Sequence, residues 1–137
     1  VEPPVAKARR GKILLAEDHD INQILIVEMI NRLGYQTVLA VNGEDAIEKV
    51  EAAAKEKMPF DLVLMDVQMP VMDGFEATKS IRQKGYSKEQ LPILAITANA
   101  YPEDIEHCLQ SGMQGHIPKP VMIETMRSSL NNWLNAD

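Results

Sequence analysis

The chain predicts a three-layer, doubly wound α/β fold around a parallel five-stranded sheet, and three observations carry that reading. Five short apolar runs recur along the sequence, each followed by a stretch with helical spacing. The runs are apolar throughout instead of alternating, which is the pattern of strands buried on both faces. Whole helices separate them, and connections that long join parallel strands.

The elements follow in order. Residues 1–11 hold two prolines and no apolar periodicity, so they read as a linker or arm ahead of one domain at 12–137. The basic residues Lys7, Arg9, Arg10 and Lys12 form too short a run for a nucleic-acid patch. Lys12-Ile13-Leu14-Leu15-Ala16 is the first strand. Residues 20–33 form the first helix, with Ile26, Ile30 and Leu33 on one face. Asp20 fits its cap, with Gln23 reaching back, and Gly34 fits its stop. Residues 37–40 are the second strand, Asn42-Gly43 a break, and Ala46, Ile47, Val50 and Ala54 the next helix face. Residues 62–65 are the third strand, and 75–82 are helical after a loop at 70–74. Residues 93–96 are the fourth strand. Pro102 suits the first turn of a helix carrying Ile105, Cys108 and Leu109 before Gly112. Residues 115–117 are a short fifth strand, and Met122, Met126, Leu130 and Trp133 stripe the last helix.

Composition narrows the function. The 137 residues suit one domain; 14 basic against 20 acidic residues give a net charge of −6. An acidic chain lacks the basic face that displaces counterions from nucleic acid, so direct nucleic-acid binding is not expected. No apolar run approaches the roughly 18 residues of a membrane helix, and Val1-Glu2-Pro3-Pro4 opens no signal peptide. Cys108 is the only cysteine, which points to a reducing, cytoplasmic setting without an internal disulfide. A first residue of Val1 instead of Met reads as a piece of a longer protein.

The reactive residues share one place. Glu17 and Asp18 follow the first strand, Asp66 the third and Lys119 the fifth, while Thr97 ends the fourth. These are C-terminal strand ends, where open α/β sheets put their ligand crevice. Each alone has a plain structural reading: Asp18 as a turn or cap, Asp66 as a turn, Thr97 as a strand residue, Lys119 as a solvated charge. Together they describe chemistry. Three close carboxylates repel, and a hard divalent cation such as Mg²⁺ relieves that repulsion through oxygen ligands. Lys119 adds a fixed positive charge. Asp66 then becomes a carboxylate nucleophile suited to attack on a phosphoryl group, with Thr97 a donor to a phosphoryl oxygen.

The segments Leu15-Ala16-Glu17-Asp18, Asn42-Gly43-Glu44-Asp45-Ala46, the run from Asp61 through Asp66 and Pro70 to Gly74, Ile96-Thr97-Ala98 and Lys119-Pro120 together resemble the receiver domain of two-component response regulators. The resemblance covers about residues 12 to 135. It implies a flavodoxin-like (βα)5 fold with strand order 2-1-3-4-5. It implies that Asp66 accepts a phosphoryl group from a phosphohistidine. Mg²⁺ would be held by Glu17, Asp18, Asp66 and the Gln68 backbone carbonyl. Lys119 would pair with Asp66 and then with the phosphoryl group, and Thr97 would be the switch hydroxyl. The Lys119–Pro120 bond would be cis. Gln68 and Asn99 would flank the path of the water that hydrolyses the acyl phosphate.

The wording of 17–23 and 112–121 is closest to receivers of hybrid sensor histidine kinases. Partners would then be a histidine kinase domain, a histidine phosphotransfer protein, or both, with no membrane contact by this domain and room for an anchor elsewhere in the parent chain. No output domain follows, so a stand-alone regulator acting by docking is the alternative. The domain would take and lose a phosphoryl group instead of running metabolic catalysis. Phosphorylation would reshape the face of the fourth helix, fifth strand and fifth helix. Met113, Met122 and Met126 near that face would let a partner surface adapt, with core packing the plainer role for Met126.

Three points depart from the pattern or compete with it. His116 stands three residues before Lys119, where the family carries Tyr or Phe, which puts the usual rotamer readout in doubt. His107 reads as a solvated helix residue and His19 as a loop residue. Asp18-His19-Asp20 superficially matches the nucleophile motif of haloacid-dehalogenase-type phosphatases, although Asn22 replaces their Thr or Val. A pseudo-receiver that binds without being phosphorylated is the last alternative, opposed by the complete acid, acceptor and lysine set.

Overall fold

The computed structural model describes residues 11–98 and 101–134. Ten elements alternate along them: β1 (Lys12–Ala16), α1 (Asp20–Arg32), β2 (Gln36–Ala40), α2 (Gly43–Lys55), β3 (Leu62–Asp66), α3 (Gly74–Gln83), β4 (Ile93–Thr97), α4 (Pro102–Ser111), β5 (Gly115–Pro118) and α5 (Ile123–Leu134). The strands form one sheet in the order β2-β1-β3-β4-β5. Every pairing is parallel.

Side chains on successive strand residues point to opposite faces, so each central strand feeds two cores. Ile13 and Leu15 of β1, with Leu62 and Leu64 of β3, join Ile26 and Ile30 of α1 and Met126 and Leu130 of α5. Leu14 and Ala16, with Val63 and Met65, join Ala46 and Val50 of α2, Ala77 and Ile81 of α3 and Cys108 of α4. Two helices therefore cover one face and three the other. β3 and β4 are buried at every residue. β2 and β5 are the sheet edges, and their partial exposure departs from the expected two-sided burial.

Helix ends are set by local chemistry. Asn42 Oδ1 accepts from the Asp45 amide at 2.8 Å to start α2, and Asp73 Oδ1 accepts from the Glu76 amide at 2.9 Å to start α3. Gly112 ends α4 at φ 109°, a conformation glycine adopts without a Cβ clash. At α1 the expected cap is corrected. His19 holds the cap position without a side-chain bond, and Asp20 is the first helical residue. Gln23 does not reach back to a cap, because its amide donates to the Glu17 carbonyl at 2.8 Å instead.

The methionine reading also changes. Met113 is fully buried among the α3 and α4 contacts, so it cannot lend flexibility to a surface. Met126 is buried as core, while Met122 precedes α5 and is exposed, as is Trp133. His107 is exposed, but its ring stacks on Phe75 of α3 at 3.7 Å. The Lys119–Pro120 bond is cis.

Candidate functional site

The sheet delivers its polar residues to one edge because five parallel strands all end there. Glu17 leaves β1, and its backbone amide continues the ladder onto the Ala40 carbonyl at 3.0 Å. Asp66 is the last residue of β3 and pairs in register with Ile96. Thr97, buried, ends β4, and its carbonyl accepts from the Lys119 amide at 2.9 Å. That bond brings the residue after β5 back across the sheet edge.

The carboxylates of Glu17, Asp18 and Asp66 offer oxygens that all lie within 4.8 Å of one another. Glu17 is fully buried and Asp66 is 1% exposed, whereas Asp18 is open to solvent. Lys119 Nζ donates to Asp66 Oδ2 at 3.1 Å and stands 4.0 Å from Glu17 Oε1. The Gln68 amide donates to Asp66 Oδ1 at 3.1 Å, and the His19 amide to Glu17 Oε2 at 3.1 Å. Glu17 Oε1 is buried and has no hydrogen-bond donor. Burial pushes the Glu17 carboxyl up to about 6 from an ordinary 4.5, and the Asp66 charge adds to the rise. The His19 amide and Lys119 pull the other way.

This arrangement fits a hard cation. An orphaned, buried carboxylate oxygen beside two further carboxylates asks for a positive charge with oxygen coordination, which is Mg²⁺ chemistry. It also fits nucleophilic carboxylate chemistry at Asp66, whose two oxygens are held by an ammonium and a backbone amide. Asp18, by contrast, is exposed, and Asp20 is the first residue of α1.

The response regulator receiver domain family matches residues 13–131. The chain belongs to that family. The receiver is 40% identical over 118 residues to the sensor histidine kinase RcsC of Salmonella typhimurium, covering 86% of this chain and 12% of that protein. It is 35% identical over 125 residues to the hybrid signal transduction protein dokA of Dictyostelium discoideum, covering 91% of this chain and 7% of that one. The chain thus spans about a tenth of the length of such relatives. The receiver domain of a sensor histidine kinase from Pseudomonas aeruginosa PAO1, with magnesium coordinated in its active-site cleft, superimposes with a TM-score of 0.79 at 37% identity. The match covers 91% of this chain and 98% of that one. The receiver domain of Ssk1 from Saccharomyces cerevisiae, in complex with the histidine phosphotransfer protein Ypd1, gives 0.76 at 28% identity over 89% of this chain and 87% of that one. This is a receiver related to those of hybrid histidine kinases, with the five-strand order 2-1-3-4-5 expected of it.

The expected site residues among the described ones fall on this edge, but with different surroundings. Glu17, Asp18, Asp66 and Lys119 converge; Gln68 joins through its backbone, with its side chain exposed. His19, at the cap position of α1, donates its amide to Glu17 Oε2. His116 is half-buried on the edge strand beside Ala95. Asn99 lies outside the described residues. Two supporting residues were not read as part of the site. Gln23 anchors the Glu17 carbonyl. Gly74 lies so close under Asp66 that a Cβ there would come within 2.3 Å of its carbonyl oxygen. A glycine opening a helix just after a motif carboxylate is the signal that marks it.

Proposed function

We propose that the chain, over residues 12–137, is the phosphoacceptor domain of a hybrid sensor histidine kinase, with 1–11 a linker. A histidine kinase domain or a histidine phosphotransfer protein gives it, or takes from it, a phosphoryl group. The observation that carries this is Asp66: a buried carboxylate with Lys119 Nζ at 3.1 Å and two more acids beside it.

In the proposed reaction an Asp66 carboxylate oxygen attacks the phosphorus of a phosphohistidine. The new O–P bond forms as the N–P bond breaks, and the imidazole leaves with the electron pair and takes up a proton. Lys119 neutralises charge on the acceptor and on the incoming phosphoryl oxygens. Thr97 donates its hydroxyl to one of those oxygens. Glu17, Asp18, Asp66 and the Gln68 carbonyl would hold Mg²⁺, which offsets the charge of the acids and the phosphoryl group. The domain works in the cytoplasm without direct contact to nucleic acid or membrane. The −6 charge supports the first, and no helix among the described residues is long and apolar enough to cross a membrane.

The test is incubation with acetyl phosphate and Mg²⁺, acid quench and intact mass. One added phosphoryl group is expected on the wild type and on Asp18→Asn at higher Mg²⁺, and none on Asp66→Asn. A wild type that gains no mass, or an Asp66→Asn variant that still gains it, overturns the assignment.

A further inference from the structure

The loop that carries Glu17 and Asp18 from β1 to α1 is tied peptide by peptide. The Glu17 amide donates to the Ala40 carbonyl at 3.0 Å, which holds the peptide entering Glu17. The His19 amide donates to Glu17 Oε2 at 3.1 Å, which holds the peptide between Asp18 and His19. The His19 carbonyl accepts from the Gln23 amide at 2.9 Å, and α1 begins. The peptide between Glu17 and Asp18 is held in another way. Its carbonyl accepts from the side-chain amide of Gln23 at 2.8 Å, reaching back six residues from the helix. This bond adds nothing to the α1 ladder, which the Gln23 backbone amide already serves.

The two acids of the loop depend on these ties unequally. Glu17 is fully buried, so its surroundings fix it. Asp18 is exposed, so packing does not set its direction. That direction follows from the peptide planes on either side of its Cα, because each plane is rigid. The plane after Asp18 is tied to the Glu17 carboxylate, itself one of the clustered acids. The plane before it is tied to Gln23, which is half-buried and stands outside the cluster.

We propose that Gln23 is a positioning residue for Mg²⁺: its grip on the Glu17 carbonyl aims the exposed Asp18 carboxylate at the site shared with Glu17 and Asp66. This rests on the metal site proposed above. The three carboxylates offer oxygens within 4.8 Å of one another, and like charges so close repel. Asp18 is the one of the three that solvent leaves room to swing away. A fixed peptide limits that swing, so an arriving cation spends less of its binding free energy on ordering the ligand.

The test is a Mg²⁺ titration of the unphosphorylated protein, followed through the backbone amide resonances of residues 66–68. Gln23→Met keeps the length of the side chain and removes the donor. It should raise the Mg²⁺ dissociation constant about tenfold, as the loss of a group that orients a metal ligand does elsewhere. In an Asp18→Asn background the same substitution should change the constant less than about twofold, because the carboxylate that Gln23 aims is gone. All four proteins are also titrated with Mn²⁺, which takes the same oxygen donors and whose paramagnetic broadening reads binding too weak to saturate. Gln23→Met that binds both ions as tightly as wild type overturns the proposal, whatever becomes of its urea midpoint. Equal losses in the two backgrounds overturn it too, since Gln23 would then act on the site without Asp18. A wild type that binds neither ion overturns the metal site itself, so the two readings fail separately.

Discussion

A half-buried arginine and a pair of buried carboxylates sit at opposite ends of the same sheet and are treated in opposite ways. At the N-terminal ends of β4 and β5 the Arg82 guanidinium spends its donors on Gly112, Tyr86, Ser87 and Leu91 carbonyls, at 3.0, 3.2, 2.9 and 2.8 Å, and on Gln114 Oε1 at 3.2 Å. At the C-terminal ends Glu17 and Asp66 share one lysine, and Glu17 Oε1 has no donor. A saturated, half-buried charge is a structural fastening. A buried charge with an empty valence is a demand for something outside the chain.

The largest effect should come from breaking the saturated end. Arg82→Ala strands several carbonyls and frees the loops before β4 and β5, and should lower stability in urea by about 3 kcal/mol or more. Lys in its place supplies three donors from one point and should recover little. Phosphorylation per folded molecule by acetyl phosphate should stay as in wild type. If Arg82→Ala unfolds at the wild-type urea midpoint, the two ends do not differ in the way described.

The unsaturated end should behave in the reverse sense, and pH exposes it. The raised Glu17 value, about 6 against 4.5, means that the fold binds its proton more tightly than the unfolded chain does. That contribution is fully present below pH 4.5 and is lost as pH rises through about 6. The loss is about 2 kcal/mol by linkage. Without Mg²⁺ the wild type should therefore lose stability relative to Glu17→Gln between those pH values, read as the difference in urea midpoints. Saturating Mg²⁺ should cancel the difference for the wild type, because a cation replaces the proton. Parallel pH profiles for the two proteins would show that Glu17 carries no such demand.

The same contrast explains what could be read from the sequence. Central strands apolar at every position, such as 62–65 and 93–96, declare a parallel sheet. Once strands are parallel their C-terminal residues must meet, which brings Glu17, Asp66, Thr97 and Lys119 together without any knowledge of distances. The Arg82 fastening is invisible by that route. Four of its five acceptors are backbone carbonyls, and any residue type supplies one, so only the folded loops reveal them. The burial of Met113 is hidden likewise, since it follows the last turn of α4 and carries no periodic signal. Val71 has a positive φ, 69°, which runs against its residue type, and local preference gives no warning of it.

The smallest effect lies in the helix caps that share the functional edge. Asn42 and Asp73 open α2 and α3 there, each accepting one backbone amide. Asn42→Ala should lower stability by about 1 kcal/mol, as a lost cap does elsewhere. The Mg²⁺ dependence of phosphorylation should not move, because Asn42 donates nothing to the three acids and its Oδ1 is already satisfied by Asp45. The measurement is the Mg²⁺ concentration giving half the maximal acetyl phosphate rate, set beside the urea midpoint. A lower midpoint with an unchanged Mg²⁺ requirement places Asn42 with Arg82 as fastening, despite its position beside the acids. A shifted Mg²⁺ requirement would mean that the tie from the Gly43 amide to the Met72 carbonyl at 3.1 Å passes strain from the α2 cap to the loop carrying Gln68. The edge would then be one mechanical unit, and the boundary between the two kinds of charge would have to be drawn by connection instead of by position.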